Sequence, residues 1–276
     1  MTYNNPFTNN RRDSARSQAQ PQYANAQQYN AASSGEYGYD GYGRPYLNAQ
    51  PVRVSERTIQ HSVAAAYGEM AVGLVLTAAV SWLSASSGLV LRFLNSVGHF
   101  GWYALLIGQV VLAVALGAKA LSMSPGLARV LFYVYAATMG FSLSTIFFIY
   151  DIGSIGLAFG LTAGFFLCLT MIGLTTKRDM LKAGPILGIA LIVLIISQVV
   201  MMLFNASGAT MIVAAISLII FAGLTVYDAQ KTRALYRQYG TNETMVKRVS
   251  ILAALNLYLD FVNIFLSLLQ LFGNRN

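Results

Sequence analysis

Charge is what this chain of 276 residues has least of. Only 10% of its residues are Asp, Glu, Lys or Arg, where soluble domains usually carry about 25%. Cysteine occurs once, at Cys168 inside an apolar run. That excludes an intrachain disulfide framework and a cysteine metal cluster. The two histidines, His61 and His99, are far apart and cannot by themselves build a zinc site. Acidic residues number 10 against 18 basic ones, which leaves a net charge of +8. Such a balance would suit a nucleic-acid partner if the basic residues clustered. They stand singly or in short groups between long apolar runs, as membrane-flanking residues do, and nucleic acid is excluded.

What the chain has in quantity is hydrophobicity: 56% apolar residues and a mean hydropathy of +0.55. An all-α polytopic membrane protein follows, its main partner the lipid bilayer. Residues 1–54 are the exception. They hold seven tyrosines among Asn, Gln, Ser, Gly and Pro, with almost no aliphatic residue. Such a segment buries too little apolar surface to offset its ordering entropy, so disorder is expected there. It reads as a solvated low-complexity leader or as a tyrosine-rich partner-binding tail. Residues 55–276 form the membrane domain, with Ser55–Ala66 as an interfacial helical lead-in.

Seven segments reach spanning length: Tyr67–Ser87, Gly101–Leu121, Val130–Tyr150, Ile155–Leu174, Ala183–Phe204, Thr210–Ala229 and Val249–Phe272. Each has about 20 residues or more, enough to cross a hydrocarbon layer of roughly 30 Å. Seven full crossings would put the termini on opposite sides. With the N-terminus inside, the inner connections hold Lys119, Arg129, Lys177, Arg178, Lys182, Lys231, Arg233, Arg237, Lys247 and Arg248, against Arg92 and Arg275 outside. That bias orients the chain with its N-terminus in the cytoplasm. Gly160 and Gly164 form a G-x-x-x-G pair, which serves helix packing within one bundle or a dimer face. A monomer and association with a partner membrane protein both remain open.

Charge inside these spans is the chemistry worth naming. Asp260 lies eleven residues into the seventh span, where an ionised carboxylate costs several kcal/mol unless it faces the bundle interior, water, a cation or a proton. Asn256, Asp260 and Asn263 fall at i, i+4 and i+7, a single polar stripe. Asp228 lies near the inner end of the sixth span. The two aspartates enter the layer from the same side, and meet only if the sixth helix extends inward or the seventh is displaced. If they meet, the pair can share a proton, and when ionised it is a hard-oxygen site suited to Ca²⁺. Alternatively Asp228 faces water beside Lys231, and Asp260 is hydrogen-bonded in the core. Glu69, at the inner end of the first span, is a third acid or simply solvated. Gln109 and Ser142 are interhelical hydrogen-bond members or path residues, and Tyr227 and Tyr258 are polar neighbours of the aspartates. No nucleophile and base stand together, and the settings of the aspartates differ from those of an intramembrane aspartyl protease, so no enzyme is expected.

The stretches Gly223-Leu224-Thr225-Val226-Tyr227-Asp228-Ala229-Gln230-Lys231 and Ala253-Ala254-Leu255-Asn256-Leu257-Tyr258-Leu259-Asp260-Phe261-Val262-Asn263-Ile264-Phe265-Leu266, with Phe272-Gly273 after them, resemble the Bax inhibitor-1 family. This is also called the transmembrane Bax inhibitor motif or YccA/YbhL-like family, and the short loops resemble its bacterial members. The resemblance implies seven helices with the C-terminal one central, in a bacterial inner membrane. It further implies a pH-sensitive calcium leak, without a resident cofactor, controlled by a hydrogen-bonded aspartate pair that matches Asp228 and Asp260. Bound Ca²⁺ would be weak and transient there. In relatives a basic residue of the second helix can latch the pair closed. Here the matching stretch is Gly117-Ala118-Lys119-Ala120 without an arginine, which leaves Lys119 or Arg129 as substitutes. A glutamate of the second helix in some relatives is replaced by Gln109. A leak of Ca²⁺ gated by protons is therefore the leading expectation, and a non-conducting regulator of other membrane proteins or proteases the alternative.

The charge bias makes a direct prediction about orientation. In a Cys168→Ser background, a cysteine placed at Ser207 should be labelled from outside by an impermeant thiol reagent, and one at Thr241 should not. Strong outside labelling at Thr241 would reverse the orientation.

Overall fold

The computed structural model describes residues 36–39, 45–48, 56–204 and 210–275. In the first unit, Met1–Arg53, strands β1 (Glu36–Tyr39) and β2 (Pro45–Asn48) pair antiparallel, with Tyr37 opposite Leu47 and Gly38 opposite Tyr46. Disorder was expected here. Tyrosine favours strands, and Tyr37, Tyr39 and Tyr46 supply enough of it for one local hairpin. The rest of that expectation lies outside the described residues.

The second unit, Val54–Asn276, is helical. Its long helices are α1 (Glu56–Ser86), α2 (Leu89–Lys119), α3 (Pro125–Leu143), α4 (Ile152–Thr175), α5 (Gly184–Phe204), α6 (Thr210–Tyr239) and α7 (Glu243–Phe272). A one-turn helix, Ile146–Ile149, prolongs α3, and a 3₁₀ turn, Met180–Ala183, leads into α5. These give seven helical stretches long and apolar enough to cross a membrane, the number expected. The expected outer loop Asn205–Ala209 lies outside the described residues.

Three ends lie well beyond expectation. Helix α1 begins at Glu56 rather than Tyr67, α6 continues to Tyr239 rather than Ala229, and α7 begins at Glu243 rather than Val249. Apolar runs mark only the part of a helix inside hydrocarbon. Backbone hydrogen bonding continues into the headgroup layer, where polar side chains are no penalty. Asn242 caps α7 by accepting from the Met245 amide at 3.0 Å, and Glu243 pairs with Lys247 one turn on. Helix α2 reaches back to Leu89 through a break at Gly98, whose φ of 61° suits glycine.

Polar clasps tie these helices where neither water nor lipid can satisfy them. The Thr77 hydroxyl of α1 lies 2.9 Å from the Ala136 carbonyl of α3 and 2.8 Å from the Tyr258 hydroxyl of α7. Gln109 of α2 donates to the Thr138 carbonyl at 2.7 Å and the Ser142 hydroxyl at 2.6 Å, both on α3. Two arginines cap helix ends: Arg233 donates to the Leu174 carbonyl at 3.1 Å, and Arg248 to the Leu121 carbonyl at 3.0 Å. Gln230 holds the segment before α5, accepting from the Met180 amide at 2.9 Å and donating to the Arg178 carbonyl at 2.8 Å. At the opposite end, Asp151 caps α4 through the Ser154 amide and hydroxyl, which hold its carboxyl below the usual carboxylate range. The chain after α7 closes on this corner, with Asn274 donating to Ser154 at 2.9 Å and Arg275 over the Tyr150 ring.

Helix α7 packs against α1, α2, α3, α4 and α6, and is buried along most of its length. Helix α5 packs on α6 and leaves Ile186, Ile189, Ile192 and Ile196 exposed, as a lipid-facing helix does. Gly160 and Gly164 meet no atom within 4 Å of an added Cβ among the described residues, so the expected packing role within the bundle is not theirs. The close approaches occur elsewhere. A Cβ at Gly140 would come 2.5 Å from the Thr77 carbonyl, and one at Gly173 would come 2.8 Å from the Val226 carbonyl. Gly140→Ala should therefore force α1 and α3 apart and cost roughly 1–3 kcal/mol, seen as a lower thermal midpoint in detergent. Gly160→Ala should leave the midpoint unchanged or slightly raised, since alanine is the better helix former.

Candidate functional site

The longer α6 sets Asp228 deeper than expected, at the level of Asn256, and its hydrogen bond goes to Asn256 rather than to Asp260. Counted along the helices, Asp228 is about 16 Å from the Tyr239 end of α6 rather than a few ångströms, and Asn256 about 20 Å from the Glu243 end of α7. The two meet: Asn256 Nδ2 donates to Asp228 Oδ1 at 3.1 Å. One turn further along α7, Asp260 lies within the field of Asp228 and beside the Thr225 hydroxyl, which projects from the same turn of α6. Both carboxylates are buried, with Asp228 7% and Asp260 3% exposed. The nearest cation is Lys231 on α6, whose Nζ is 3.9 Å from Asp228 Oδ1. Asp260 Oδ2 has no hydrogen-bond partner among the described residues. A buried acceptor left in that state calls for a proton, water or a cation.

Neither residue expected as a basic latch reaches the pair. Arg129 is bound to Glu69 at 2.5 Å, and Tyr133 donates to the same carboxylate at 2.5 Å. Lys119 is exposed at the end of α2. The physical reason is distance along the chain. Arg129 lies in the first turns of α3, at the level of Glu69 and well short of the aspartates. Glu69 is thereby neither a third acid of the site nor merely solvated, and it clasps α1 to α3. Lys231, three residues after Asp228, takes the position of compensating cation.

The remaining candidates divide. Asn263 donates back to the Leu259 carbonyl of its own helix at 2.7 Å. Tyr258 belongs to the Thr77 clasp, Tyr227 packs against Gly184 with Lys231 over its ring, and Gln109 and Ser142 bind each other. Sequence reasoning missed the outward continuation of the stripe. Ser267 donates to the Ser217 hydroxyl of α6 at 3.1 Å, and Gln270 follows at the same spacing. Positions 256, 260, 263, 267 and 270 are all polar, and the 4-3-4-3 step between them was available to carry the pattern one heptad further. At the end where α6 turns into α7, Ile59, Val63, Tyr236 and Val249 form a buried cluster, and the Tyr236 and Ser250 hydroxyls lie 2.7 Å apart.

Residues 59–276 match the family described as inhibitor of apoptosis-promoting Bax1. The chain belongs to this family. Among its relatives, it is 41% identical to the inner membrane protein YbhL of Escherichia coli over 220 residues, covering 79% of this chain and 93% of that protein. It is 34% identical to an uncharacterized protein of Borreliella burgdorferi over 213 residues, covering 77% and 91%. A Deinococcus radiodurans protein is 34% identical over 215 residues, covering 78% and 90%. The Bax1 match takes in every long helix apart from the first residues of α1, and both aspartates with it.

The Glu69–Arg129 pair gives a test of where the basic residue acts. Arg129→Ala and Glu69→Gln should each lower stability by about 1 kcal/mol, Arg129 being half exposed. The double variant should cost little more than either single one in a thermal double-mutant cycle. Additive losses would mean that Arg129 is used elsewhere.

Proposed function

We propose that this protein is a passive cation leak of a bacterial inner membrane, conducting Ca²⁺ and regulated by protons at Asp228 and Asp260. One observation carries the reading: Asp260 is buried beside a second carboxylate, with an oxygen that no described protein group satisfies. Two such groups in a low-dielectric bundle share a proton and hold α6 and α7 in contact. Losing that proton adds repulsion across the α6–α7 seam and attracts a hard cation. Lys231 compensates Asp228 in the closed state, in place of a latch from the second helix.

In this reading α7, the C-terminal helix, is the central shaft, and the helices packed on it form the wall. The stripe Asn263, Ser267 with Ser217, and Gln270 supplies a polar route outward from Asp260. The inner seal of Ile59, Val63, Tyr236 and Val249 is what opening has to part. Ten basic residues against two favour a cytoplasmic N-terminus, and the inner-membrane name of the Escherichia coli relative favours the location. The permeant ion and protons are the ligands of this machine, and it needs no resident cofactor.

Ca²⁺ flux into proteoliposomes between about pH 5 and 8 tests this. Wild-type flux should rise with pH, as deprotonation separates the pair. Asp228→Asn and Asp260→Asn should each flatten the profile, and the double variant should resemble either single one. A flat wild-type profile, or single variants that keep the full response, would sink the leak. The non-conducting regulatory reading would then take its place.

A further inference from the structure

Among the described residues, five buried side-chain atoms lack a hydrogen-bond partner: Tyr67 Oη, Ser81 Oγ, Thr170 Oγ1, Arg248 Nε and Asp260 Oδ2. Folded interiors leave few such groups, and each asks for a cause. Ser81 lies towards the outer end of α1 and Arg248 in the first turns of α7, apart from the rest. The other three lie along one chain of ring contacts. The Tyr67 ring sits edge-on to Phe166 at 6.4 Å, and Phe166 sits edge-on to Phe261 at 5.5 Å. Thr170 is one turn beyond Phe166 on the same face of α4, and Asp260 is the neighbour of Phe261. The Tyr67 and Thr170 hydroxyls are near each other without a well-formed bond, and the fields of Asp260 and Asp228 reach Tyr67.

We propose that Tyr67 and Thr170 are neutral oxygen ligands of a cation held at Asp260, so that the site is assembled from α1, α4, α6 and α7 rather than from two aspartates alone. This rests on the cation-leak reading and adds to it what the aspartates lack. Ca²⁺ gathers about six to eight oxygens, and Asp228 already accepts from Asn256 and faces Lys231. A hydroxyl can turn its hydrogen away and present lone pairs. Tyr67 and Thr170 thus raise the ligand number without adding charge. With Lys231 offsetting one carboxylate, the site carries little net charge. Binding is then weak and quickly reversed, as conduction requires and storage does not. The competing occupant of three such oxygens is a single bridging water.

Tb³⁺, a luminescent stand-in for Ca²⁺ excited through nearby tyrosines, separates the two on the purified full chain in detergent. Wild type should give sensitised emission that Ca²⁺ displaces, and Asp260→Asn should abolish it. Tyr67→Phe should remove most of the displaceable signal. Thr170→Val should keep the signal and weaken Tb³⁺ binding roughly fivefold, the loss of one oxygen ligand, while Thr170→Ser should restore it. In proteoliposomes Tyr67→Phe and Thr170→Val should raise the half-saturating Ca²⁺ concentration by a similar factor and spare the maximal flux. Absence of displaceable emission from wild type would overturn the inference. So would unchanged emission, affinity and half-saturation in both variants, which would assign the oxygens to water. A wild type that conducts nothing, yet loses displaceable emission on Tyr67→Phe, would keep the site and end the leak. A conducting wild type indifferent to both hydroxyls would do the reverse.

Discussion

Hydrocarbon offers no hydrogen bonds, and every polar group of this bundle is placed by that constraint. Thr77, Gln109, Glu69 and the two capping arginines each find a protein partner on another helix or just beyond its end. Five buried side-chain atoms among the described residues do not, and the carboxylate among them belongs to Asp260, deep on the most buried helix. An unsatisfied carboxylate there costs far more than an ordinary orphan. Its persistence is the reason to look for a mobile partner, a proton or an ion, at this point of the fold rather than at any other.

The fold around it keeps the site polar without making it wet. Phe166 and Phe261 pack beside it, Tyr236 and Val249 belong to a buried cluster at one end, and Asn263, Ser267 and Gln270 continue the polar stripe towards the other, where Ser267 meets Ser217. Serine side chains are small enough to line a seam between two helices that otherwise pack tightly. A wide, permanently hydrated pore would need many more polar groups.

Much of this was legible beforehand, and the reasons are specific. The seven spans show because twenty apolar residues in a row have few other uses. Asp260 and Asn256 show because a charge and an amide at helical spacing have no business in lipid. The helix ends were less legible, since α6 beyond Ala229 and α1 before Tyr67 are polar segments that hydropathy cannot separate from loops. That shortfall misplaced Asp228 in depth. The partner of Arg129 was illegible for another reason. An arginine's target depends on which helices are neighbours, and α1 against α3 is a tertiary fact. Tyr67 and Thr170 were hidden the same way: each is an ordinary residue in its own helix, and only packing buries both hydroxyls without a partner.

Gln230 stands two residues from Asp228 and grips the chain between α4 and α5 with both ends of its amide. That chain carries Lys177, Arg178 and Lys182, which sit where lipid headgroups would be. Gln230 thereby ties α6, two residues past Asp228, to the stretch that carries these three positive charges.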